Sequence, residues 1–218
     1  MERSILKTTR YRMNINLFTG WHYEPKNLIR ENEFNFCYEK NKNLNFGQYY
    51  IDKTKRPTYN SFLNEMKKYP NDINIIANPD NFFDDKFLND LYELYFKYEN
   101  KEKLCLGLTR WNYINEDDIR YFNVKDSQDV FIFYGSVDLN INEQIPLGRP
   151  GCDNRLAAIL IYDLKMDVFN PSKDLKYYHY HPSDDSTRTY LNEKLERTEF
   201  VMGPHEFIYS CTLNDVKR

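Results

Sequence analysis

Through the first half of this chain, short apolar runs alternate with stretches patterned for helices, and few backbone arrangements satisfy that alternation. Residues 12–18 alternate apolar and polar side chains and read as a first strand, closing at the turn Thr19-Gly20. Residues 32–41 read as a helix and 46–51 as a second strand. Pro57 then opens a helix over 58–68, with Tyr59, Phe62, Leu63 and Met66 at helical spacing. Residues 72–77 form an isoleucine-rich buried strand that stops at Asn78-Pro79-Asp80. An amphipathic helix over 87–98 follows, then apolar strands over 104–109 and 130–134. A Gly/Pro-rich turn over 146–151 leads into a short helix over 153–161. Residues 174–181 alternate as a late strand, and Phe207-Ile208-Tyr209 suits one more. The expected fold class is α/β, a mostly parallel central sheet with helices on both faces. In such sheets ligands collect beyond the carboxyl ends of the strands, so the polar residues that close strands are the candidates for chemistry.

The length of 218 residues suits a single domain over 1–218 with a real core. A net charge of −3 gives no global basic field for a nucleic-acid backbone. The 19 Tyr and 15 Phe would suit stacking on sugars or bases, but the abundant Asn and Lys favour a codon bias as their source. Four Cys stand far apart without a C-x-x-C pair, which fits a reducing compartment rather than a disulfide or zinc framework. The first ten residues are charged, and no apolar run approaches the roughly 20 residues of a membrane span. A cytoplasmic protein, or an excised catalytic domain, is expected.

Three motifs carry candidate chemistry. The buried strand before Asn78-Pro79-Asp80 delivers a carboxylate into the ligand crevice. Hard divalent ions take oxygen ligands, often one or two carboxylates plus substrate phosphates, so Asp80 is a candidate ligand. Asn78 would orient it or bind a sugar or ribose. The alternative is an Asx turn, with Asp84 or Asp85 capping the next helix. In Tyr178-His179-Tyr180-His181, strand alternation points both imidazoles one way, toward a metal or a diphosphate; the alternative is two half-buried histidines. In Gly151-Cys152-Asp153-Asn154, a carboxylate at a helix start can serve as general base for a hydroxyl, or merely cap the helix.

Weaker signals accompany these. Lys55-Arg56-Pro57-Thr58 places cations and a hydroxyl at a helix start, as an anionic nucleotide requires. Arg110-Trp111 closes a strand with a cation and a ring. Ser127-Gln128-Asp129 offers hydrogen bonds to sugar hydroxyls.

Taken in order, several segments resemble glycosyltransferases of the GT-A type, among them the capsid-glycosylating enzymes of chlorella viruses. They are Phe18-Thr19-Gly20, Arg56-Pro57-Thr58-Tyr59, Ile76-Ala77-Asn78-Pro79-Asp80, Leu108-Thr109-Arg110-Trp111, Ser127-Gln128-Asp129, Gly151-Cys152-Asp153-Asn154-Arg155, Asn170-Pro171-Ser172 and His179-Tyr180-His181. The resemblance covers residues 10–190. It implies a GT-A (Rossmann-like) fold, with nucleotide-sugar contacts in 10–112 and acceptor and catalytic groups in 113–218. It also implies Mn²⁺ or Mg²⁺, a UDP-sugar donor (UDP-glucose or UDP-rhamnose) and a glycan acceptor, such as one on a capsid glycoprotein in a host cytoplasm. Asp80 stands where the last carboxylate of the family's Asp-X-Asp motif binds metal, with Asn78 replacing the first. His179 or His181 resembles the C-terminal metal ligand, and Asp153 the base of inverting members. Thr19, Arg56, Thr58, Asn78, Arg110 and Asp129 fall at donor-contact positions. A sugar nucleotidyltransferase would need a glycine-rich loop after the first strand, where only Gly20 stands. A non-catalytic carbohydrate-binding module would need neither donor nor metal.

Overall fold

Leu17 and Phe18 are neighbours and both are buried, which requires a strand covered on two faces. The computed structural model describes residues 13–21, 28–54, 56–139, 143–182 and 204–216. Its main sheet has six strands: β1 (Ile15–Gly20), β2 (Gln48–Asp52), β3 (Ile73–Ala77), β5 (Leu104–Leu108), β8 (Val130–Tyr134) and β9 (Asp167–Phe169). They lie in the order β2-β1-β3-β8-β5-β9. Every strand runs the same way except β8, which is antiparallel to both its neighbours. The chain is thus α/β with a mostly parallel sheet, compatible with a Rossmann-like fold.

Alternation along each strand feeds two cores. Phe18, Ile76, Phe131 and Phe133 face one side, where α2 (Tyr59–Met66) and α4 (Cys152–Ala158) pack. Leu17, Ile75, Leu106 and Ile132 face the other, under α3 (Asp85–Lys97). Each such fully buried side chain is worth about 1.5–3 kcal/mol of transfer free energy. Caps set the helix starts. Thr58 and Ser61 form a reciprocal capping box on α2, and Asp84 accepts from Phe87 N at α3. Gly151 opens α4 at φ 81°, a left-handed conformation that costs any side chain with a Cβ. The π-helical turn Ile159–Asp163 extends α4.

A second sheet stands off the carboxyl edge of the first. It comprises β4 (Asn81–Phe82), β6 (Trp111–Asn115), β7 (Asp118–Tyr121) and β10 (Tyr178–Tyr180), in the order β4-β10-β6-β7. Helix α1 (Leu28–Lys42) packs on β4 and β10.

The structure differs from the sequence-based expectation in a few places. Thr19 and Gly20 continue β1 rather than turn, because β2 and β3 pair with it on both sides. The late strand expected over 174–181 shrinks to three residues, since Asp174 N and Leu175 N both bond back to Pro171 O in a turn. Phe207-Ile208-Tyr209 forms no ladder; Ile208 N bonds Lys125 O, and a lone bridge joins Asn170 to Ser210. Lys55 and the charged stretch over 183–203 lie outside the described residues. Among the described residues, no helix is long and apolar enough to cross a membrane.

Candidate functional site

The chain leaves β1 for β2 on one side and returns past β1 to β3 on the other. The strand order therefore reverses between β1 and β3, where crevices form in open α/β sheets. Because β8 is antiparallel, its first residue, Val130, sits beside Ala77 and Leu108, the last residues of β3 and β5. The turns after β1, β3, β5 and β9, and the loop before β8, thus share one edge. Thr19, Asn78, Asp80, Arg110 and Asp129 all lie along it.

Asp80 occupies the turn from β3 to β4, closed by Asn81 N donating to Asn78 O at 3.2 Å. Tyr180 N donates to Asp80 O at 2.9 Å, so β10 brings His179, and His181 just past its end, to this turn. His179 Nε2 lies 3.3 Å from Asp80 Oδ2, and the His179 and His181 rings are 5.8 Å apart, on one face as strand alternation requires. Arg30 of α1 donates from Nη2 to Asp80 Oδ2 at 2.6 Å and from Nη1 to Glu33. His181 Nδ1 is 2.9 Å from both Arg30 Nη1 and Glu33 Oε1. Burial opposes charge on Asp80, but His179 and Arg30 outweigh it and hold the carboxyl well below its ordinary range. One face of α1 thus supplies a cation and a second carboxylate that sequence reading passed over. Their signal was a polar pair, Arg30 and Glu33, at helical spacing with buried Phe34, Cys37 and Asn41. Asn41 pins the turn: its Nδ2 donates to Asn81 O at 2.9 Å, and its Oδ1 accepts from Phe83 N at 3.1 Å.

Asp129 is the hub of the adjoining network. It accepts from Arg110 Nη1 at 3.0 Å and from Asn78 Nδ2 at 3.3 Å. The Asn78 side chain therefore reaches toward Asp129 and does not orient Asp80. Arg110 is buried, bonded also to Asn112 and stacked 4.2 Å over the Phe122 ring. It is a charge already neutralised within the fold. Thr19 Oγ1 donates to Ala77 O at 2.8 Å and ties β1 to β3 at the reversal point. Arg56 precedes Pro57, which packs against Gly20 so tightly that a Cβ there would meet Pro57 Cγ at 2.4 Å. The start of α2 is thereby held beside the end of β1. The Thr58 hydroxyl is spent on capping α2 and on Gln144, 3.2 Å away. Asp153, in the first turn of α4, accepts from Gln128 N at 2.9 Å. Burial, helped by the charge of Asp129, pushes its carboxyl up to about 6 despite that bond.

Among the described residues, no three carboxylate, imidazole or thiolate side chains converge as a ready metal cage. Three buried side-chain oxygens among the described residues nevertheless lack any partner: Asp80 Oδ1, Asn81 Oδ1 and Gln128 Oε1. Asp80 and Gln128 belong to the loops of this edge and Asn81 opens β4 beside them, and all three atoms are acceptors. Buried acceptors without donors are costly, and a water, a cation or a hydroxyl of a bound ligand would each satisfy them. A carboxylate oxygen beside an imidazole suits a divalent ion whose remaining ligands are phosphate and water. The residues present fit such an ion. The sequence matches no protein-family model and no curated protein, so the chemistry of this edge carries the functional reading.

Proposed function

We propose that the chain is a metal-dependent glycosyltransferase of the GT-A kind, moving a hexose or deoxyhexose from a UDP-sugar to a glycan acceptor with inversion. Glycosylation of a viral capsid protein in the host cytoplasm is the setting we propose for it. The observation that carries this reading is the clustering of orphaned buried acceptors, Asp80 Oδ1 foremost, at the carboxyl edge beside a carboxylate whose proton affinity is raised.

Asp80 and a late histidine, His179 or His181, would hold Mn²⁺ or Mg²⁺. When bound, the ion would supply charge neutralisation for the departing diphosphate. Thr19, Arg56, Thr58 and Asn78 flank the strand reversal where a nucleotide would lie, while Arg110 and Asp129 brace Asn78 from behind. Asp153 takes the proton of the acceptor hydroxyl, whose oxygen then attacks the anomeric carbon. The bond from that carbon to the diphosphate oxygen breaks on the opposite face, and its electron pair leaves with UDP. A carboxyl with its pKa near 6 is a better proton acceptor than an ordinary aspartate yet still ionised at neutral pH.

A panel of UDP-sugars incubated with Mn²⁺, read by NMR for the anomeric form first released, tests the proposal. We expect hydrolysis of one donor, dependent on Mn²⁺, with inverted product. Retained configuration would remove Asp153 from its role, and formation of a UDP-sugar from a sugar 1-phosphate plus UTP, with release of pyrophosphate, would replace the transferase by a nucleotidyltransferase.

A further inference from the structure

The Arg30 guanidinium occupies the carboxylate that the proposed cation needs. It holds Asp80 Oδ2 at 2.6 Å, while Oδ1 of the same carboxylate is buried without a partner. A divalent ion arriving at Oδ1 would share one buried carboxylate with a guanidinium, and like charges at that separation in a poorly solvated site repel strongly. The fold also provides a place for the arginine to go. Glu33 is three residues on along α1, almost wholly buried, and already bonded to Arg30 Nη1. Phe34, in the same turn, lies under the guanidinium with its ring centroid 5.0 Å away. Arg30 can release Asp80 while keeping a carboxylate and an aromatic face. His181 Nδ1, 2.9 Å from Arg30 and from Glu33, sits at the pivot.

We propose that Arg30 is a built-in counter-cation for Asp80, which a divalent ion must displace before the site can hold a diphosphate. This rests on the reading of Asp80 as a cation ligand. In the resting chain Arg30 neutralises Asp80, and the site is competent for metal only in the fraction of molecules where the arginine has swung to Glu33. The negative charge of an arriving nucleoside diphosphate stabilises the metal-bound arrangement, so metal and nucleotide bind cooperatively.

Mn²⁺ titrations followed by electron paramagnetic resonance, on the full chain with and without UDP, test this without any turnover. Arg30→Met keeps the bulk of the side chain and removes its charge. Without nucleotide we expect Arg30→Met to bind Mn²⁺ about tenfold or more tighter than wild type, the apparent affinity rising as the competent fraction approaches one. Should Arg30→Met fail to fold, Arg30→Lys, a single-pronged cation, is expected to tighten Mn²⁺ roughly several-fold by the same logic. Wild type binding Mn²⁺ with UDP while the substituted chain binds it no more tightly would overturn the counter-cation alone. No Mn²⁺ bound by wild type or variant, with or without UDP, would overturn both this and the metal reading beneath it.

Discussion

Asp153 is where one residue makes opposed demands on activity and stability. Burial raises its pKa to about 6, so as a base it must lose its proton before it can act. We expect transfer to fall about tenfold per pH unit below that value, and Asp153→Asn to lower kcat by about 10²–10⁴-fold. The stability sign is the reverse. A carboxyl whose folded pKa lies above its unfolded value of 3.8 contributes stability that is full below the unfolded pKa and lost as pH rises through the folded one. At neutral pH the ionised Asp153 therefore costs on the order of 2–3 kcal/mol, and Asp153→Asn should raise Tm by roughly 4–10 °C at pH 7. Calorimetry at pH 4 and pH 7 checks it: the gain should vanish at the acid end. At this scale the sequence was readable where residue type and position coincide, as at Asp80 and the two histidines that strand alternation placed together. It was silent where a side chain's partner comes from a distant segment. Asn78 turned to Asp129, 51 residues away, rather than to Asp80 two residues on. Arg110 was spent on the same aspartate.

The β3–β4 turn is an element with little of its own to hold it, since β4 has only two residues. Its rigidity comes from α1 through Asn41, whose amide pairs Asn81 O and Phe83 N in the interior. Asn41→Ala leaves both backbone groups unpaired, which should cost about 2–4 kcal/mol. Differential scanning fluorimetry should show the lower Tm, and Mn²⁺ affinity should fall with it as the Asp80 carboxylate loses its fixed direction. An unchanged Tm would mean the turn is held by other contacts. Elements with a clear apolar pattern were legible: the buried strands β3 and β8 and the amphipathic α3 stand within two residues of where the pattern put them. Of the small sheet only β10 was marked, inside the longer strand expected over 174–181; β4 has two residues, and β6 and β7 are half exposed, so no apolar alternation marks them. Three-residue β9 is recognisable only from its pairing with β5.

Across the whole molecule, one six-stranded sheet unites both halves of the chain, because β8 from the second half lies between β3 and β5 of the first. That interleaving places Asp153 and Asp80 on the same edge, linked through Gln128, Asp129 and Asn78. The strand-helix alternation announced such an edge, but only the strand order shows that the reversal between β1 and β3 sets the Asp80 turn beside it. Everything proposed for the molecule requires that edge to bind a diphosphate through a cation held by Asp80. Isothermal titration of UDP into the wild-type chain and Asp80→Asn, each with Mn²⁺ and with EDTA, measures this directly. We expect UDP to bind wild type only with Mn²⁺ present, and Asp80→Asn to weaken that binding by roughly tenfold or more. UDP binding that is equally tight in EDTA, or unaltered by Asp80→Asn, would contradict it.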